Sequence, residues 1–168
     1  FQTPRVYQKL TPRENLTLSC AQDKGVFPNL FKQASTAERR TVAGLLETIG
    51  LPLKADIPAE LLSHGEKQRL EIGMLVAQSP DLLLVDEPVA GLTDEETEKV
   101  GDLLLALAES HSIMVIEHDM EFVRQIANRV TVLHQGSVLC EGTMDEVQSD
   151  PRVIEVYLGS EEADQHAA

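Results

Sequence analysis

Polar caps punctuate this chain, and apolar residues follow them at helical spacing. Thr11, Ser35, Ser63, Thr93 and Thr143 each stand three residues before a glutamate: Glu14, Glu38, Glu66, Glu96 and Glu146. At that spacing the hydroxyl accepts from a backbone N–H of the first helical turn. The carboxylate reaches back to the N–H of the capping residue, so each pair predicts a helix start. Pro12 fits the first helical position after Thr11, and that helix should run to about Gln22. After Ser35, the residues Val42, Leu45, Leu46 and Ile49 fall at i, i+3, i+4 and i+7, and Gly50 ends the helix. After Ser63 a helix should begin near His64, with Ile72, Leu75 and Val76 on one face and Leu70, Met74 and Ala77 beside them. It should be largely buried, and Ser79-Pro80-Asp81 stops it. Val100, Leu103, Leu104 and Leu107 form the stripe of the helix capped by Thr93.

Other stretches read as strands. Leu82 to Val85 is a continuous apolar run, the pattern of a central parallel strand covered on both faces. Ser112 to Glu117 is β-rich and predicts a second core strand. Residues 129–134 and 137–141 alternate around Gln135-Gly136, a hairpin signal. Asp119 can cap a short helix carrying Phe122, Val123 and Ile126, and Thr143 caps another. Asp23 to Lys32 carries Gly25 and Pro28 and reads as a loop with a short helical turn. Residues 12–60 therefore look wholly helical and precede an α/β half. The ending, 160–168, is acidic and small, and is expected to be disordered.

Composition narrows the classes. With 168 residues the chain suggests one domain. Hydrophobic residues make up 42% and charged residues 25%, enough for a core in a globular protein. The net charge of −14 argues against tight binding of nucleic acid or an anionic membrane through a basic face. Cys20 and Cys140 are far apart and read as reduced core residues rather than a disulfide or metal pair, which fits a cytosolic setting. The longest apolar run, Leu103 to Ala108, falls far short of the ~18 residues of a membrane span.

The chemistry gathers in one stretch, Leu62 to Pro88. Asp86 and Glu87 follow the apolar strand directly, at the carboxyl end where open α/β sheets place ligands. Adjacent carboxylates there suit metal holding and water activation. Ser63 and Gly65 at a helix N-terminus suit an anion, since free N–H groups and the helix dipole point at it. LSHGEKQRLE resembles the ABC signature motif, and LLLVDEP resembles a Walker B strand followed by the catalytic glutamate. The resemblance to ABC transporter ATPases extends over essentially the whole chain. The opening Phe1-Gln2-Thr3-Pro4 is similar to a Q-loop, and Thr11 to Leu16 to the helix start that follows it. Ala90 to Thr93 sits where the family carries its D-loop, with Thr93 in place of the common aspartate. His118 resembles the H-loop histidine. Glu117, His118 and Asp119 do not suit one metal, because successive side chains of an extended segment point different ways.

The resemblance implies a P-loop NTPase-like α/β fold with an α-helical subdomain. The expected parts are a Q-loop segment at 1–11, a helical subdomain at 12–62, the C-terminal part of the ATPase core at 63–159, and a tail at 160–168. It implies ATP hydrolysis with Mg²⁺. Asp86 and Gln2 would contact the metal, Glu87 would activate water, and His118 would sense the γ-phosphate. Ser63, His64, Gly65 and Glu66 would meet ATP held by a second ATPase subunit. Transmembrane permease subunits and, indirectly, a solute-binding protein are the other implied partners, at the cytoplasmic face of a bacterial membrane.

KQRLEIGMLVAQSP, DEPVAGLTDEE, IEHDMEFVRQIA and DPRVIEVYLG resemble ATPase subunits of branched-chain amino acid and urea importers, and LSHG resembles the urea type best. No G-x-x-x-x-G-K-[ST] loop occurs anywhere in the sequence. That gap and the Q-loop-like opening lead us to expect an N-terminally truncated fragment, with a sheet missing strands and showing open edges. Chromosome-maintenance and translation-factor ATPases are the alternatives, as is a non-hydrolytic interaction fragment. The first needs coiled-coil heptads, absent here; the second carries two cassettes and basic linkers.

Overall fold

A computed structural model describes residues 6–21 and 35–156. Gln2, the whole of the expected loop at 23–34 and the tail at 160–168 lie outside the described residues. The chain divides into two compact units, Phe1–His118 and Asp119–Ala168.

In the first unit, α1 spans Pro12–Ala21, α2 Thr36–Thr48, α3 His64–Val76 and α4 Asp94–Ala108. Two short 3₁₀ turns, Pro52–Lys54 and Ala59–Leu61, link α2 to α3. Each helix starts where its capping box places it. The reciprocal bonds are formed at Ser35, Ser63 and Thr93, and Thr11 and Glu14 make the same pair of contacts. Among the described residues before Leu82 there is no strand, as the apolar spacing required.

Helices α1, α2 and α3 pack on one another. Leu16, Val42, Leu46, Ile49, Leu70 and Ile72 are buried between them, and full burial of each such side chain contributes about 1.5–3 kcal/mol. Gly73 permits the close approach: a Cβ there would lie 2.9 Å from Ile49 Cγ2. Asn15 is fully buried and ties the preceding segment to α1. Its Oδ1 accepts from the Tyr7 N–H at 2.8 Å, and its amide donates to the carbonyls of Tyr7 and Thr11. Leu75 and Val76 are only half-buried, so the core face of α3 is centred on Leu70, Ile72 and Met74.

Strand β1, Leu82–Asp86, pairs in parallel with β2, Ser112–Ile116, with Asp86 opposite Ile116. The parallel pairing agrees with the sequence; burial on both faces does not. Leu83 and Val85 are buried, but Leu82 is 49% exposed and Leu84 43%. On β2, Met114 and Ile116 are exposed as well. Among the described residues this sheet has two strands, and on β1 the face carrying Leu83 and Val85 is the covered one. The stripe expected on α4 is buried as a whole: Val100, Leu103, Leu104 and Leu107.

The second unit begins with α5, Met120–Ile126, capped by the Asp119 carboxylate, which accepts from the N–H groups of Glu121 and Phe122. A hairpin follows, β3 Val130–His134 and β4 Ser137–Gly142, turning at Gln135 and Gly136, both at positive φ. Helix α6, Met144–Ser149, starts at the Thr143 box, and residues 151–156 are helical again. Neither Cys20 nor Cys140 is in a disulfide. No helix among the described residues is long and apolar enough to cross a membrane.

Candidate functional site

The carboxyl end of β1 and the N-terminus of α3 carry the candidate chemistry, and the segment after Glu87 connects them. Parallel pairing runs one residue past β1: the Glu87 N–H donates to the Ile116 carbonyl at 2.9 Å. The backbone then turns sharply, with Glu87 at φ 45°, a conformation that a residue with a Cβ adopts only under strain. That turn leaves the Asp86 and Glu87 side chains exposed at the strand tip. Glu87 Oε1 stands 3.6 Å from Nδ1 of His118, whose ring is also exposed.

Glu117 lies beneath the same ring, its Oε2 3.8 Å from His118 Nδ1. Its side chain is only 1% exposed, and it accepts from two backbone donors, the Val89 N–H at 3.2 Å and the His118 N–H at 3.0 Å. One carboxylate thus ties the loop after Glu87 to the loop bearing His118.

Among the described residues the Asp86 carboxylate has no hydrogen-bond or ion-pair partner. No three His, Cys, Asp or Glu side chains among them are grouped so as to cage a metal. A divalent ion at Asp86 would find one carboxylate among the described residues and complete its shell with oxygens from outside them: phosphate, water or Gln2. Mg²⁺ accepts that donor set.

At the other end of the site, Ser63 caps α3. Its Oγ accepts from the Glu66 N–H at 3.2 Å, and Glu66 Oε2 accepts from the Ser63 N–H at 3.0 Å. The other Glu66 oxygen pairs with Lys54 Nζ at 2.6 Å. Burial alone would raise the Glu66 pKa; the Lys54 hydrogen bond, the Ser63 N–H and the nearby Lys54 and Arg69 charges outweigh it and hold it low. Glu66 thus braces the loop from behind. His64 is exposed and sets its Nε2 3.3 Å from the Ala90 carbonyl, which places the α3 N-terminus beside the segment following Glu87.

The pair expected to hold an anion does hold one, from within the chain. Ser63 Oγ donates to Glu96 Oε1 at 2.8 Å, and the Gly65 N–H reaches the same oxygen at 3.2 Å. Ser63, Gly65, Asp86, Glu87 and His118 are all placed in the first unit, and Gln2 lies outside the described residues. Sequence reasoning missed Glu117 and Glu96. Glu96 was visible as the last member of the Thr93 box, which gave no sign of a second role.

Known proteins resemble this chain in sequence and in fold. The model of the family described as "ABC transporter" matches residues 1–90, and that of the branched-chain amino acid ATP-binding cassette transporter matches 137–163. The high-affinity branched-chain amino acid transport ATP-binding protein LivG of Salmonella typhimurium is 37% identical over 95% of this chain and 66% of its own. The chain thus spans just under two thirds of that relative's length. The ADP conformation of MJ1267, an ATP-binding cassette of an ABC transporter, superposes with a TM-score of 0.79 at 27% identity, over 95% of this chain and 66% of that one. A dimeric, post-hydrolysis structure of the ATP-binding cassette MJ0796, bound to ADP and Pi, matches with a TM-score of 0.67 at 26% identity over 86% of this chain and 61% of that one.

The fold is accordingly that of an ABC ATPase, an α/β domain of the P-loop NTPase kind. With the family model matching more than half of its 168 residues, the chain belongs to the ABC transporter family, and its relatives are ATP-binding subunits.

Proposed function

We propose that this chain supplies the signature, Walker B and H-loop part of the ATP-hydrolysing subunit of an importer in the branched-chain amino acid and urea group. The supporting observation is the strand tip: Asp86, Glu87 and His118 converge there, beside the segment that the α3 N-terminus contacts through His64. Asp86 would hold Mg²⁺ when the ion is bound with ATP. Glu87 would orient and deprotonate the attacking water, and His118 would contact the γ-phosphate. Phosphoryl transfer needs mainly positioning and charge neutralisation, and these groups contribute to both.

Ser63 and Gly65 would grip the triphosphate held by a second ATPase subunit. The dimeric form of MJ0796 supports that arrangement. Gln2 would contact the metal and the water, as the Q-loop resemblance implies. Hydrolysis would also need a phosphate-cradling P-loop, and the sequence given holds none. Permease subunits would anchor it at the cytoplasmic face of a bacterial membrane, and a solute-binding protein would deliver cargo. Urea is the solute suggested by LSHG, and a branched-chain amino acid the one suggested by the name of LivG. Uptake of labelled urea and labelled leucine in cells lacking the gene separates the two. Glu87→Gln in the native subunit should retain ATP without turnover; undiminished hydrolysis would remove Glu87 as the base.

A further inference from the structure

A carboxylate on the anion site of Ser63 and Gly65 is a chemical conflict. The site offers a hydroxyl, a backbone N–H and the positive end of a 13-residue helix. Glu96 already engages the first two with a single oxygen. We propose that Glu96 is a positioning residue for this site, an internal stand-in for phosphate that must withdraw before a partner subunit's triphosphate can dock. The proposal rests on the function proposed above.

Three observations support it. First, the space is taken. A Cβ built on Gly65 would lie 2.7 Å from Glu96 Cδ and 2.8 Å from its Cβ and Cγ, so the glutamate stem lies directly over the glycine. A phosphate oxygen cannot reach the Gly65 N–H with Glu96 in place. Second, the charge is wrong for coexistence. The hydrogen bonds from Ser63, the Thr93 N–H and the Gly65 N–H hold the Glu96 carboxyl below its ordinary range, so it is an anion at neutral pH. Third, the carboxylate can leave readily. Its other oxygen meets the Thr93 N–H and Oγ1 at 3.4 Å each, long contacts that release easily.

Withdrawal would have a second effect. The same side chain bridges the α3 N-terminus to Thr93, the cap of α4. Docking of phosphate on Ser63 would therefore be felt at the start of α4, in the segment that also carries Ala90 and Gly91. The Ser63 hydroxyl is freed to donate to phosphate while still accepting from the Glu66 N–H, since a hydroxyl can do both.

The test uses the subunit expressed from its native gene. Glu96→Gln keeps the length of the side chain and a capping-box residue at that position while removing the charge. ATP-driven self-association is followed by analytical ultracentrifugation in the Glu87→Gln background, and KM and kcat are measured with Glu87 intact. Glu96→Gln should lower the ATP concentration for half-maximal association and the KM by roughly fivefold, the factor for one like charge a few ångströms away in a water-like dielectric. The kcat should be unchanged, because the strand tip is untouched. Glu96→Ala should shift KM in the same direction even though the lost cap lowers its melting temperature. An unchanged or raised KM in Glu96→Gln, with the parent active, overturns the inference and leaves the proposed function standing. A parent subunit that neither associates nor hydrolyses ATP overturns both.

Discussion

Glu117 offers the sharpest single test of how the strand tip is held together. Removing its carboxylate by Glu117→Ala orphans the Val89 N–H and the His118 N–H at once. A hydrogen bond to a charged group is worth about 1.5–3 kcal/mol. The His118 donor lies near solvent and recovers a water, whereas the Val89 donor belongs to a buried residue and does not. The expected loss is therefore about 2–4 kcal/mol rather than the full sum. With a typical urea slope, that is a fall of about 1–2 M in the unfolding midpoint, read by circular dichroism. Glu117→Gln should be intermediate: one oxygen still accepts, but the new amide turns a donor toward a donor. In the native subunit kcat should fall roughly 10–100-fold, because the Glu87 and His118 loops lose their common anchor. A Glu117→Ala variant with the parent's midpoint and full turnover would show that the two loops are set by other contacts, and the positioning argument would be wrong.

Two further expectations concern the scaffold. Gly73→Ala sets two effects against each other: alanine gains about 1 kcal/mol of helix propensity, but overpacking against Ile49 and Leu16 costs about 1–3 kcal/mol. The net should be destabilising by about 1 kcal/mol, as chemical denaturation would show; an unchanged or raised midpoint would mean that Ile49 and Leu16 give way freely. Glu66 gives a pH signature. Its carboxyl lies below the ordinary 4.5 in the folded state, so the stabilisation is present above pH 4.5 and is lost as pH falls through the lower folded value. Lys54→Met should flatten that acid limb of a melting-temperature profile; an unaltered limb would assign it to other carboxylates.

Local chemistry made the helices legible. A capping box needs only four consecutive residues, so Ser63, Thr93 and Thr143 marked their helices regardless of what packs nearby. Asp86, Glu87 and His118 could be placed together because parallel pairing puts both strand ends on one side. The facing of β1 was not legible. A run of leucines is written the same way whether one face or both are covered, and here Leu82 and Leu84 stay open. Glu117 and Glu96 were missed for a related reason. Each acts on backbone groups that sequence separation hides: Val89 lies 28 residues from Glu117, and Gly65 lies 31 residues from Glu96.

The left-handed turn at Glu87 carries a consequence for evolution in the laboratory. A glutamate at φ 45° holds about 1–3 kcal/mol of local strain that glycine would relieve and asparagine would lessen. Selection for heat resistance alone should therefore drift toward Gly or Asn at position 87, yielding sturdier molecules without the carboxylate that faces His118. Durability and turnover pull against each other at that one residue, so a screen that rewards both should leave it alone and find its gains elsewhere.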